Sequence, residues 1–159
     1  MRKLVWNDEL AVIAQRWADQ CSFEHDVNRV KADGTMVGQN IYWSGNSDQN
    51  SFDELMQTMA NGVISWYSEV EDPGYNSNDI YPFKSSYGAL HYTQVVWAET
   101  EEVGCGFTYY NENSWFNQLV VCNYATAGNR WNEAMYLQGE ACSQCPDGYS
   151  CEDGLCAKN

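Results

Sequence analysis

The sequence predicts an α+β domain. Two stretches carry amphipathic helical spacing, one around Leu10–Ala18 and one around Leu55–Tyr67. A pair of apolar strands follows, Val103–Phe107 and Leu119–Tyr124. Helices that are apolar on one side need a sheet to bury that side, and alternation of the two along one chain provides it. Each strand also carries a cysteine, Cys105 and Cys122, so a covalent staple between neighbouring strands is expected.

The elements follow in order. Asn7 or Asp8 caps a first helix whose apolar face is Leu10, Ile13, Ala14, Trp17, Ala18 and Cys21; Asp8 and Glu9 suit its dipole. Residues 1–6 are expected to enter this helix almost at once. Ser22–Asp26 is a loop with one of the chain's two histidines, His25. Asp33-Gly34 marks a turn before a short strand, Gly38–Trp43, and a polar loop, Gly45–Asn50. Ser51-Phe52-Asp53-Glu54 is a capping box opening the second helix, with an apolar stripe of Leu55, Met59, Val63, Trp66 and Tyr67 ended by Pro73-Gly74. The long polar loop Gly74–Gly88 has the length of a functional or mobile loop. His91–Thr100 then has helix-like spacing with the second histidine at its tip.

At 159 residues the chain is long enough to bury a core. A formal net charge of −14 repels phosphate backbones and anionic membranes, which excludes nucleic acid as the expected partner. No apolar run is long enough for a transmembrane segment. No signal peptide is visible, and the seven cysteines favour a mature or truncated secreted chain over a cytosolic one. Four of them crowd into Cys142–Cys156, a tail too poor in apolar residues to fold without staples. Two disulfides are the first reading. Zinc is the second, set behind by a spacing tighter than paired knuckles and by the acidic context.

His91-Tyr92-Thr93-Gln94-Val95-Val96-Trp97-Ala98-Glu99-Thr100 resembles the first signature of the CAP superfamily, the cysteine-rich secretory proteins, antigen-five venom allergens and pathogenesis-related proteins. Leu119–Asn129 resembles the second, while Val5–Leu10 and Val37–Ile41 are similar to arthropod antigen-five proteins. The tail resembles the hinge of cysteine-rich secretory proteins. The resemblance implies a three-layer α-β-α sandwich with a central, largely antiparallel sheet. It divides the chain into a CAP domain over 1–138 and a cysteine-rich tail over 139–159. It also implies the bridges Cys105–Cys122, Cys142–Cys151 and Cys145–Cys156, with Cys21 free. The family's first helix normally precedes the point where this sequence begins. Leu10 and Trp17 are therefore expected to lack part of their cover, and a dimer through that face or through Cys21 is expected in its place.

The family's site is a tetrad of two histidines and two acidic residues in an open groove. His25, His91 and Glu69 match three members; Gln39 stands where the second acid belongs. Two imidazoles and a carboxylate can hold zinc with an open position, and Gln39 adds only a neutral carbonyl oxygen that cannot serve as a general base. The expectation is a weak zinc site at His25, His91 and Glu69. No serine or cysteine stands in a recognisable nucleophile motif. The leading function is a secreted, non-enzymatic binding protein, similar to venom or salivary allergens, with an extracellular protein or a lipid or sterol as partner. The alternative is a metal-dependent hydrolase or protease using His25, Glu69 and His91. A channel modulator ranks third, because the larger cysteine-rich domain that serves that role in the family does not follow here.

Overall fold

A four-stranded sheet divides the helices into two layers. The structure is a computed structural model and describes residues 1–85 and 88–159. The strands are β1 (Val5–Trp6), β2 (Gly38–Asn46), β3 (Glu102–Glu112) and β4 (Trp115–Ala125), in spatial order β1-β3-β4-β2. β3 and β4 form a long antiparallel hairpin in which Glu112 pairs with Trp115. Its two-residue turn, Asn113-Ser114, takes φ values of 52° and 67°, the conformation that matches strand twist. β2 adds antiparallel to β4, and β1 adds parallel to β3. The sheet is thus largely antiparallel, and helices on both faces make it the expected α-β-α sandwich.

The central strand β4 is buried on both sides, as alternation requires. Leu119 and Val121 face Ala14 and Ala18 of α1 (Asp8–Ala18), together with Ile41. Val120, Cys122 and Tyr124 face Trp66 of α2 (Phe52–Ser68). α1 lies very close to β3. A Cβ on Gly104 would stand 2.2 Å from the Ala11 nitrogen, and one on Gly106 would stand 2.4 Å from the Gln15 Cα. Two glycines therefore set the helix–sheet distance on that face. A third cluster, with Ile80, Phe83, Tyr92, Trp97 and Met135, packs the segments on either side around α3 (Leu90–Val95).

Several expectations are corrected. The first residues do not enter the helix: Val5 and Trp6 pair with Glu102 and Val103, since a β-branched and an aromatic residue in extended conformation can complete the sheet edge. Of the two expected caps Asn7 is the one used, accepting from the Leu10 amide at 3.0 Å. α1 ends at Ala18, and Cys21 leaves the apolar face for an exposed left-handed position at φ 55°. Leu10 does not lack a partner. It is fully buried against Val37 and Ala125, and Trp17 is half-buried with its indole N–H on the Glu24 carbonyl. The stripe of α2 is also rotated. Thr58, Gly62 and Trp66 are buried, while Val63 and Tyr67 lie outside. β2 runs on to Asn46, through part of the expected loop. The helical part of the central segment stops at Val95, before a second β-branched residue at Val96. The loop expected over 74–88 includes a short 3-10 turn at Ser77–Asp79 and buries Ile80 and Phe83; its residues 86 and 87 lie outside the described residues.

The bridges Cys105–Cys122, Cys142–Cys151 and Cys145–Cys156 are present, and Cys21 is free. The tail is a hairpin of β5 (Tyr149–Glu152) and β6 (Leu155–Lys158). The first residues tie it to the body: the Lys3 amide donates to the Cys156 carbonyl and the Arg2 amide to that of Ala98.

Candidate functional site

Ala89 precedes α3 and has no side chain with which to cap it. Glu69, at the C-terminal end of α2, supplies the cap from 22 residues away. Its Oε2 accepts from the backbone N–H of His91 and of Tyr92, each at 3.0 Å. Its Oε1 lies 2.6 Å from His91 Nδ1. The carboxylate therefore satisfies two orphan amides of a helix start and fixes the His91 ring in one contact set. The other face of the ring's surroundings is Trp66, stacked with 6.3 Å between centroids. The His91 side chain is 35% exposed and that of Glu69 16%, so the pair sits where the core opens to solvent.

His25 is exposed on its loop, and its Nδ1 lies 2.9 Å from Gln39 Oε1. The same oxygen accepts from the Asp26 amide, while Gln39 Nε2 donates to Asn123 Oδ1 at 3.0 Å. The amide in this position has its oxygen shared by two donors and one of its N–H groups on a buried acceptor. Asn40, the next residue, points the other way along the strand, and its amide donates to the His91 carbonyl at 3.1 Å and to the Tyr124 hydroxyl.

Of the four residues singled out from the sequence, two pairs are brought together: His91 with Glu69, and His25 with Gln39. Among the described residues, no three His, Cys, Asp or Glu side chains form a group able to hold a metal ion. Two tyrosines packed against α3 hold their protons more firmly than usual. Burial raises the Tyr92 hydroxyl above its ordinary value, with Tyr136 and Tyr67 adding to the effect. Burial and then Asp79 push Tyr75 up to about 12.

The two signature stretches interlock around this site. The Thr93 hydroxyl donates to Asn129 Oδ1 at 2.6 Å, Asn129 Nδ2 donates to the Leu90 carbonyl, and the Gly128 amide donates to Gln94 Oε1. A Cβ on Gly128 would meet Trp97 and Gln94 at 2.9 Å. Sequence reasoning missed Asn40, Trp66 and Asn129 as parts of the site. Asn40 was within reach, since it neighbours Gln39 on an alternating strand. Asn129 was not, because nothing local pairs it with a residue 39 positions earlier.

This geometry has known relatives. The model of the cysteine-rich secretory protein family, CAP, matches residues 1–124. The chain is 41% identical over 135 residues to venom allergen 5 of Microctonus hyperodae, covering 84% of this chain and 55% of that protein. It is 44% identical over 137 residues to venom allergen 5 of Vespa velutina, covering 86% and 62%. It therefore spans somewhat more than half the length of these curated relatives. Among solved structures, BmVAL-1 superposes with a TM-score of 0.76 at 30% identity, over 98% of this chain and 76% of that one. NaASP2 with Zn2+ superposes with a TM-score of 0.75 at 29% identity, with the same coverage. The family match over residues 1–124, with relatives more than 40% identical, makes this chain a member of the cysteine-rich secretory protein family.

Proposed function

We propose that the chain is a secreted, non-enzymatic binding module whose target is an extracellular protein or a lipid or sterol. The observation that supports this reading is the commitment of Glu69. Its two oxygens serve three donors that hold α3 and His91 in place, and its counterpart Gln39 is an amide that takes no proton. Among the described residues, no serine, threonine or cysteine side chain hydrogen-bonds either histidine. Three disulfides form in an oxidising compartment, and the curated relatives carry venom-allergen names; both support secretion. No helix of the described residues is long and apolar enough to cross a membrane. The exposed Cys21 thiol offers a route to a linked second copy.

A weak zinc site is the second reading, favoured by one observation. Nδ1 of each histidine faces an oxygen acceptor, so a neutral ring turns its Nε2 lone pair outward, the state in which histidine binds metals. A related protein, NaASP2, has been solved with Zn2+. Glu69 already serves three donors, so any zinc held here would lean on the two histidines, oriented by Gln39 and Glu69. Bound there, zinc would supply a Lewis acid. Two imidazoles are fewer ligands than structural or catalytic zinc sites use, so affinity is low and fades as the rings protonate.

Three measurements on the secreted protein test both readings: lipid extraction with mass spectrometry, zinc calorimetry, and a peptidase and esterase panel. We expect a bound lipid or a specific protein target, weak zinc binding that His91→Ala abolishes and Gln39→Glu tightens, and no turnover. Turnover that disappears with His91→Ala would establish a metal-dependent hydrolase using His25, Glu69 and His91. Equal zinc affinity in wild type and His91→Ala would make the histidines purely structural.

A further inference from the structure

Two hydrogen bonds inward from the exposed His25 ring lies a buried amide, Asn123. It is fully buried in β4 and is the direct cross-strand partner of Gln39 on β2. Its Oδ1 accepts from Gln39 Nε2 at 3.0 Å, while its own Nδ2 has no hydrogen-bond partner among the described residues. A buried N–H without an acceptor costs stability, so an apolar residue of similar shape would serve packing alone better. Leu119 and Val121 already fill the two preceding positions on this face of the strand. What Asn123 supplies, and a third apolar residue would not, is an acceptor for Gln39.

That acceptor bears on which end of Gln39 faces His25. Gln39 Oε1 lies 2.9 Å from His25 Nδ1 and 3.1 Å from the Asp26 nitrogen. A backbone amide only donates, so the atom beside Asp26 is the Gln39 oxygen and the atom beside Asn123 is the Gln39 nitrogen. Turning the Gln39 amide over would set N–H against N–H at Asp26. The same oxygen then accepts from His25 Nδ1, which leaves the lone pair of a neutral ring on Nε2. We propose that Asn123 is a positioning residue: through Gln39 it holds the exposed His25 ring in the Nδ1–H tautomer, with Nε2 free to meet a divalent cation. His91 needs no such relay, since the Glu69 carboxylate beside its Nδ1 accepts through either oxygen. The proposal rests on the weak zinc reading for what the lone pair would serve, whereas the tautomer itself belongs to the metal-free protein.

Long-range proton–nitrogen NMR spectra of the isotope-labelled protein, without metal and at about pH 8.5, read the tautomer of each neutral histidine separately. A histidine free in water favours the Nε2–H form, so an exposed ring in the Nδ1–H form is distinctive. We expect that form for His25 in the wild type. Asn123→Leu should return the ring to the Nε2–H form, whereas Asn123→Asp, which keeps an acceptor oxygen, should hold it as Nδ1–H. His91 should stay unchanged in both, and circular dichroism checks their fold. Gln39→Met cuts the same link from its other end and should also release His25, which keeps the test open if Asn123→Leu does not fold. In zinc calorimetry Asn123→Leu should bind about tenfold more weakly than wild type. An Nε2–H ring in the wild type, or an Nδ1–H ring that survives Asn123→Leu or Gln39→Met, would overturn the proposal. Zinc binding by a wild type whose His25 is Nε2–H would sink the role of Asn123 and leave the zinc reading standing. An Nδ1–H ring that Asn123→Leu releases, in a protein without zinc affinity, would sink the zinc reading and leave Asn123 its role.

Discussion

α1 and α2 flank the same sheet, yet the sheet satisfies only one of them. α1 buries Leu10, Ala14 and Ala18 and rests its backbone on Gly104 and Gly106, so that small residues on both sides bring helix and strand together. α2 stands further out on a large residue, Trp66, whose indole N–H reaches the Ile41 carbonyl at 3.2 Å, and leaves half of its apolar arc open. The difference is one of width. An arc as wide as the contact is core; an arc wider than the contact has surface left for something else. Charge divides in the same way: Lys31 pairs with Glu102 and the next residue's amide donates to Glu9 of α1, whereas no lysine or arginine occurs from Ala32 to Phe83.

The strongest break in this comparison is Gly106→Val. Its side chain would begin 2.4 Å from the Gln15 backbone, which cannot rotate away, so α1 must lift off β3. We expect a loss of more than about 4 kcal/mol in urea denaturation, or no folded protein. A loss below about 1 kcal/mol would mean that α1 is only loosely seated. Trp66→Ala tests the covered half of α2. It removes the side chain that joins Val120, Cys122 and Tyr124 to the helix and backs His91, and about 3–4 kcal/mol is expected. Because the His91 ring loses its stacked neighbour, the histidine resonances should broaden in NMR spectra of this variant; unchanged resonances would show that Glu69 alone positions the ring.

The two helices also show what was legible in the sequence. The helical period, the Ser51–Glu54 capping box and the strand pair are local patterns, and each forms as read. Which side of α2 would be inside was not local. Val63 and Tyr67 fit the period as well as Gly62 and Thr58 do, and an apolar arc this wide does not say which half meets the sheet. The expected exposure at Leu10 failed for a related reason. Val37 and Ala125, far away in sequence, close over it. In the site, the residue types came through, but their partners did not. Glu69 reads as a ligand until the missing cap at Ala89 is seen, and that vacancy is visible only once α2 and α3 are adjacent.

The smallest effect belongs to the Lys31–Glu102 pair, 3.0 Å apart beside the start of α1. Burial works to raise the Glu102 carboxyl, but hydrogen bonds from Lys31 and Asn7, with the charges of Lys31 and Lys158, hold it below its usual value. The hydrogen bond to Glu102 raises Lys31 against its partial burial, and Glu9 and Asp33 add to it. A depressed carboxylate stabilises fully above its unfolded pKa of about 4.3, and loses that contribution as pH falls through the folded value. A raised lysine stabilises fully below its unfolded pKa of about 10.4, and loses that contribution as pH climbs through the folded value. Lys31→Met should therefore cost a few tenths of a kcal/mol, flat between about pH 6 and 9, and the cost should shrink below about pH 4. Thermal melts of both proteins across that range measure it. A difference that persists undiminished at pH 2–3 would assign Lys31 a packing role through its aliphatic stem in place of a charge role. No such pair exists to break around α2, where the carboxylates of Asp53, Glu71 and Asp72 meet no cation among the described residues. Among the described residues, the α1 side thus answers part of its charge within the chain, and the α2 carboxylates go unpaired.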